Sequence, residues 1–74
     1  MGWIEPFKNI ERMLEECARG YTLRIATHSR VISFNKKTYI KFPKHDEIEF
    51  CHIRKLVRYL EIPLDCARKH FPDL

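Results

Sequence analysis

Acidic residues are missing from one continuous segment of this chain of 74 residues, the segment between positions 19 and 45. Residues 1–18 hold two basic and four acidic side chains, and residues 46–74 hold five basic and six acidic ones. The whole net charge of +4 therefore comes from the segment without acids. Its cationic residues are Arg19, Arg24, Arg30, Lys36, Lys37, Lys41 and Lys44, and it also contains His28 and His45. Such a segment is typical of a protein that binds a polyanion, most often nucleic acid, although the same charge also protects sheet edges from aggregation.

Glycine and cysteine are scarce, and their scarcity excludes several kinds of site. With two glycines the chain has no glycine-rich phosphate loop. The three cysteines, Cys17, Cys51 and Cys66, are odd in number and widely spaced, which argues against a disulfide framework and favours a reducing compartment. They form no CxxC pair, so we expect no metal site and no cofactor.

Long apolar runs are also absent from the sequence. No stretch approaches the roughly 18 apolar residues of a membrane-spanning helix, and Met1–Pro6 lacks the features of a signal peptide. We therefore expect one cytoplasmic domain, residues 1–74, without a membrane partner. A chain of this length buries only about 60% of its unfolded surface, which favours a site built on the surface over a deep cleft.

Two amphipathic helices enclose the basic segment. The first is predicted to begin at Pro6 and to stop before Gly20, because apolar residues recur at helical spacing between them. The second is predicted to begin near Asp46, with Glu49 completing a capping box, and to break at Pro63 before a short last turn. The predicted core stripes are Phe7, Ile10, Leu14 and Cys17 in the first helix, and Ile53, Leu56, Val57 and Leu60 in the second.

Three short alternating segments lie between the helices. They run from Tyr21 to Ala26, from Arg30 to Phe34 and from Thr38 to Phe42, and a turn at 35–37 separates the last two. The pattern predicts an α+β fold, a two-layer α-β-β-β-α sandwich. Its three-stranded antiparallel sheet should carry both helices on one face and leave the other face open.

His28 is the main candidate for chemistry, because it lies in the tight connection after the first strand. An imidazole there could deprotonate a ribose 2′-hydroxyl while Arg24 and Arg30 stabilise the negative phosphorane, which would cleave RNA without a metal. The alternative is an exposed turn histidine with no function. His45, after the third strand, is either a second acid or base, a phosphate contact, or part of the entry to the second helix.

The remaining basic residues of the strands and turns are candidates for phosphate contacts. They are Arg24, Arg30, Lys36, Lys37, Lys41 and Lys44. Aromatic residues are interleaved with them and could stack on RNA bases. Phe34 and Phe42 are expected in the core, whereas Tyr39, in phase with Lys41, is the expected outward ring.

From Glu16 onward the chain resembles HicA-type toxins, small mRNA interferases of toxin–antitoxin pairs. Ala18-Arg19-Gly20-Tyr21 resembles the end of the family's first helix, and Thr27-His28 resembles its Ser-His motif. Phe42-Pro43-Lys44-His45 resembles the motif that closes the third strand, and 56–62 followed by Phe71 resembles the second helix and terminal turn. The chain departs from the pattern where Ala26 replaces a glycine and Thr27 replaces the serine.

The resemblance implies a fold like that of double-stranded-RNA-binding domains, with His28 as the catalytic histidine. It also implies a protein antitoxin that covers the RNA-binding face. Three functions are compatible with the residues: a metal-independent endoribonuclease, a non-catalytic nucleic-acid-binding module of the same fold, and a protein-interaction domain with a basic sheet face. The first is our prediction, with RNA as the partner.

Overall fold

The computed structural model describes residues 3–74. Our expectation of no signal peptide concerned Met1–Pro6, and Met1 and Gly2 lie outside the described residues. The elements are β1 (Ile4–Pro6), α1 (Phe7–Cys17), β2 (Thr22–Ile25), β3 (Arg30–Phe34), β4 (Lys37–Phe42), β5 (Glu47–Glu49), α2 (Phe50–Leu60) and α3 (Leu64–His70). Strands β2, β3 and β4 form an antiparallel sheet in that order, as the alternating pattern predicts. The α+β sandwich is therefore confirmed.

The core lies between the three-stranded sheet and the helices. Every residue of the two predicted helical stripes is buried, and Ile32 and Phe42 meet them from the sheet. The rings of Phe7 and Phe42, whose centroids are 5.8 Å apart, join α1 to β4. Gly20 has a φ of +86°, which suits glycine and explains why the chain can turn from α1 into β2.

A second sheet, which the sequence pattern did not predict, connects the starts of the two long helices. β1 pairs antiparallel with β5, so α1 begins at Phe7 and α2 at Phe50. The predicted capping box is wrong, since Asp46 lies before β5 and neither helix has a side-chain cap. Instead the Phe7 N–H donates to the Asp46 carbonyl (2.7 Å) and the Phe50 N–H donates to the Trp3 carbonyl (3.0 Å). The first backbone N–H of each long helix is thus satisfied by the carbonyl of the residue that precedes the opposite strand of this small sheet.

A bulge in β4 reverses the side-chain phase expected for that strand. Arg30 pairs with Phe42, but Ile32 pairs with Tyr39, so β4 has one extra residue opposite Val31. Tyr39 consequently packs against the core and Ile40 is 58% exposed. The prediction of Tyr39 as an outward ring is wrong, because the alternation on which it depended is interrupted by this extra residue.

The C-terminal helix α3 is bonded covalently to α1. Cys17 and Cys66 form a disulfide with their Cα atoms 5.6 Å apart, and His70 and Glu16 form a side-chain hydrogen bond of 2.7 Å beside it. The expectation of no disulfide is therefore wrong for this pair. The two cysteines are 49 positions apart in sequence, and only the packing of α3 on α1 brings them together. Cys51 is exposed and is not bonded.

None of the helices in residues 3–74 has the length and apolar character needed to cross a membrane.

Breaking the disulfide should lower the free energy of unfolding by up to about 4 kcal/mol, because cross-linking residues 49 positions apart restricts the unfolded chain. The test is urea unfolding of the Cys17→Ser/Cys66→Ser double variant beside wild type, both without reductant. Cys51→Ser is the matched control and should unfold like wild type. Thiol titration of the denatured wild type should find one thiol before reduction and three after; three before reduction would contradict the disulfide.

Candidate nucleic-acid interface

The sheet face opposite the helices is open and carries two of the predicted cations. Cross-strand partners share a face, and Arg24 pairs with Val31 on the central strand. On the other side of Val31 the bulge presents Ile40 and Lys41. Arg24, Ile40 and Lys41 are exposed, and Val31 is buried among its neighbours. The open face therefore has an apolar centre between two cations, whose strands lie about 10 Å apart at ordinary strand spacing.

The next row of this face is polar and uncharged. Thr22 pairs with Ser33, and Ser33 pairs with Thr38. The hydroxyl groups of Ser33 and Thr38 are hydrogen-bonded to each other at 3.0 Å. Hydroxyl groups next to cations are suited to phosphate and sugar contacts, which position a nucleic acid without reading its sequence.

His28 lies at one end of the sheet, in the loop between β2 and β3, and is exposed. The Ala26 N–H donates to the Ser29 carbonyl (2.8 Å) and closes this loop. The Lys44 ammonium donates to the Thr27 carbonyl (3.1 Å), which places the loop after β4 beside His28. Lys44 and His45 are exposed as well. The structure thus brings Lys44 of the third-strand motif next to the Thr27-His28 motif.

Arg30, another predicted phosphate ligand, is placed in the interior instead. Its side of β3 faces the helices, where it is only 7% exposed. One guanidinium nitrogen donates to the carbonyls of Pro43 (2.7 Å) and His45 (2.8 Å), and the guanidinium carbon lies 3.5 Å from the Phe7 ring centroid. Burial lowers the pKa of the Arg30 guanidinium, and the Asp46 carboxylate partly offsets this effect. These contacts keep Arg30 from a phosphate and give it a structural role.

Lys36 and Lys37 lie at the opposite end of the sheet from His28. Asn35 and Lys36 have φ values of 56° and 63°, as the two central residues of a tight hairpin turn require. Lys36 is exposed at this turn, whereas Lys37 shares the helix side with Phe34 and forms an ion pair with Glu61. The hydrogen bond from Lys37 lowers the pKa of the Glu61 carboxyl. Lys37 is therefore not part of the open face.

A shallow cleft of about 230 Å³ runs along the outer edge of β4. Tyr39 and Tyr59 line it with their ring centroids 5.6 Å apart, and Lys41 lines it from the side of the open face. Tyr59 is half exposed, and burial is the main cause that raises the pKa of the Tyr39 phenol. The cleft offers an aromatic edge next to a cation. Tyr59 lies outside the predicted core stripe of the second helix, so the sequence did not single it out, and only the packing of α2 against β4 brings it beside Tyr39.

In the part of the chain that the structure describes, one cluster has the side-chain types of a metal site. Glu49, Cys51 and His52 have ligand atoms within 4.8 Å of one another at the start of α2. These three residues could hold a zinc ion at the surface, with a fourth position left for water. The cluster lies outside the residues that form the open face and the His28 loop.

A comparison of the chain with known proteins found no match among family models, curated proteins or solved structures.

Substitution of Arg24 and substitution of Arg30 should have different effects on the free energy of unfolding, although both arginines lie in strands of the segment without acidic residues. Arg30→Met removes two hydrogen bonds from a charged donor and a ring contact, and should lower the free energy of unfolding by about 2 kcal/mol. Arg24→Met changes an exposed residue and should alter it by less than about 0.5 kcal/mol. Urea unfolding of both variants measures the difference. Equal losses would contradict the structural role of Arg30.

Proposed function

We propose that the protein binds single-stranded RNA on the open face of its sheet and cleaves it at the end that carries His28. The observation that supports this most is the placement of Arg24 and Lys41 on the uncovered face, with Lys44 at the His28 end. The strands and their connecting loops come from the segment that lacks acidic residues, so no acidic residue of that segment lies among Arg24, Lys41 and Lys44. Lys36, at the far turn, is available to extend the phosphate contacts along the strand.

A single strand fits this surface because it can use both the cations and the aromatic edge. Phosphates would lie over the cations of the open face, and an unstacked base would reach the cleft between Tyr39 and Tyr59. A duplex keeps its bases stacked inside and would leave this cleft unused. RNA is the proposed substrate because the chemistry below needs a 2′-hydroxyl.

In the proposed cleavage, His28 takes the proton of a ribose 2′-hydroxyl. The 2′-oxygen attacks the adjacent phosphorus, and the bond to the 5′-oxygen breaks to leave a 2′,3′-cyclic phosphate. His45, on the neighbouring loop, is the proposed acid that protonates the departing 5′-oxygen. Lys44 stabilises the negative phosphorane, which is the role first expected of Arg30. His28 and His45 are the histidines of the two motifs that resemble HicA-type toxins, Thr27-His28 and Phe42-Pro43-Lys44-His45.

A protein partner that covers the same face is the second candidate function. Ile40 is 58% exposed on the open face, next to Lys41, and Ile25 is 63% exposed at the end of β2, on the side of the sheet that Arg30 shares. An exposed isoleucine next to cations favours a partner with both acidic and apolar residues, which is the chemistry expected of an antitoxin that blocks RNA.

An mRNA substrate would place the protein in the cytoplasm, the compartment that we propose. Most thiols are kept reduced there, so Cys17 and Cys66 would be bonded only outside such conditions or in a cell whose cytoplasm tolerates disulfides.

The double variant Arg24→Gln/Lys41→Gln should bind RNA more weakly and with less dependence on salt. Each phosphate contact releases condensed counterions, so the slope of log K against log salt should fall by about 1.4 when two contacts are lost. The measurement is fluorescence anisotropy of a labelled oligouridine at several salt concentrations. Lys37→Gln is the matched control, because it removes one cation from the helix side of the same sheet, and its slope should equal that of wild type. A wild type without saturable binding would reject the RNA proposal.

His28→Ala should lower the rate of RNA cleavage by about a hundredfold or more while leaving RNA affinity nearly unchanged, because the loss of a general base affects the chemical step. His45→Ala should also lower the rate of cleavage. His70→Gln, in the helix layer, is the control and should cleave RNA like wild type. The assay uses long single-stranded RNA with EDTA and tests the fragments for 2′,3′-cyclic phosphate ends. If the folded wild type binds RNA but produces no fragments, the cleavage proposal is wrong and only RNA binding remains. If His28→Ala cleaves RNA at the wild-type rate, His28 is not part of the mechanism.

A further inference from the structure

The helix layer contains a cationic groove that the charge pattern of the sequence does not indicate. It lies between α2 and α3, has a volume of about 350 Å³, and is lined by Arg54, Val57, Arg58, Leu64, Arg68 and Leu74. Residues 46–74 contain more acidic than basic side chains, yet three of their five basic residues line this one groove. None of the lining residues that the structure describes has an acidic side chain.

The arginines are held by local geometry. Arg54 and Arg58 are four residues apart on α2 and therefore project from the same side of the helix. The Arg54 guanidinium lies 5.4 Å from the centroid of the Phe50 ring, and the Arg68 Nε–H donates to the Leu74 carbonyl (2.8 Å). Arg58 is exposed beside them. Two of the three guanidinium groups are thus oriented by contacts within the protein, which lowers the entropy lost when they bind an anion.

The base of the groove is aliphatic. Val57 is buried in the core, Leu74 is half-buried against it, and Leu64 is 44% exposed. A nucleic acid would find cations here but no aromatic ring to stack on among the lining residues that the structure describes. A carboxylate accepts two parallel hydrogen bonds from one guanidinium group, which suits the acidic side chains of a peptide. An aliphatic side chain between two such acidic residues would cover Leu64.

We propose that this groove binds an acidic peptide segment of a partner protein, with carboxylates on the three arginines and an aliphatic side chain on Leu64. The groove is built on the helices, and the open face lies on the other side of the sheet, so the two surfaces can be occupied together. The proposal does not depend on RNA binding.

The test is fluorescence anisotropy with the full chain and a labelled peptide Glu-Leu-Asp-Glu-Leu-Asp. Arg54→Gln, Arg58→Gln and Arg68→Gln should each weaken binding by at least about tenfold, because each removes hydrogen bonds between charged partners. Lys55→Gln/Lys69→Gln is the matched control, since it removes two exposed cations from the same helices outside the groove lining, and its affinity should stay within about twofold of wild type. Circular dichroism verifies that each variant is folded.

Two further probes separate the groove from general attraction between charges. A peptide with alanine in place of leucine should bind more weakly, and oligouridine should not displace the acidic peptide. The proposal is overturned if wild type shows no saturable binding, if the lysine control loses as much affinity as the arginine variants, if the alanine peptide binds equally well, or if oligouridine competes. Arg24→Gln, on the open face, should bind the peptide like wild type; a loss of affinity in this variant would place the peptide on the open face and overturn the proposal.

Discussion

The buried guanidinium of Arg30 connects the sheet, the loop after β4 and the first helix. It extends from β3, donates to the carbonyls of Pro43 and His45, and lies against the Phe7 ring at the start of α1. The guanidinium is a donor with several N–H groups, so it can satisfy two loop carbonyls at once, and its charge is partly balanced by Asp46. A small domain without a large core depends on contacts of this kind.

The position of the candidate site follows from this anchor. With the Pro43–His45 loop fixed by Arg30, Lys44 reaches the Thr27 carbonyl and the loop lies beside His28. On the helix side, the hydrogen bonds of Phe7 and Phe50 with the opposite strand segments fix where both helices begin. The proposed RNA surface is therefore the uncovered face of a sheet whose other face packs against the core through Ile32 and Phe42.

The sequence was sufficient for the parts of the fold that depend on local periodicity. The helical stripes, the three-stranded meander and the helix-side core follow from apolar spacing alone. The pairing of β1 with β5 and the Cys17–Cys66 bond could not be predicted, because they join distant segments that carry no local signal. The bulge opposite Val31 could not be predicted from the sequence either, and because of it Tyr39 packs against the core and Ile40 is exposed. For the candidate site, the pattern indicated charge correctly but could not show that Arg30 points inward and that Lys37 is paired with Glu61.

The most direct test of the proposed interface is an NMR titration of the isotopically labelled protein with oligouridine, followed through its backbone amides. The account predicts that the largest shift changes occur at Arg24, Val31 and Lys41 on the open face and at Thr27 to Ser29 in the His28 loop. Amides of α3, on the other side of the molecule, should change little. Changes concentrated on α2 and α3, or none at saturating RNA, would contradict the assignment of the open sheet face to RNA.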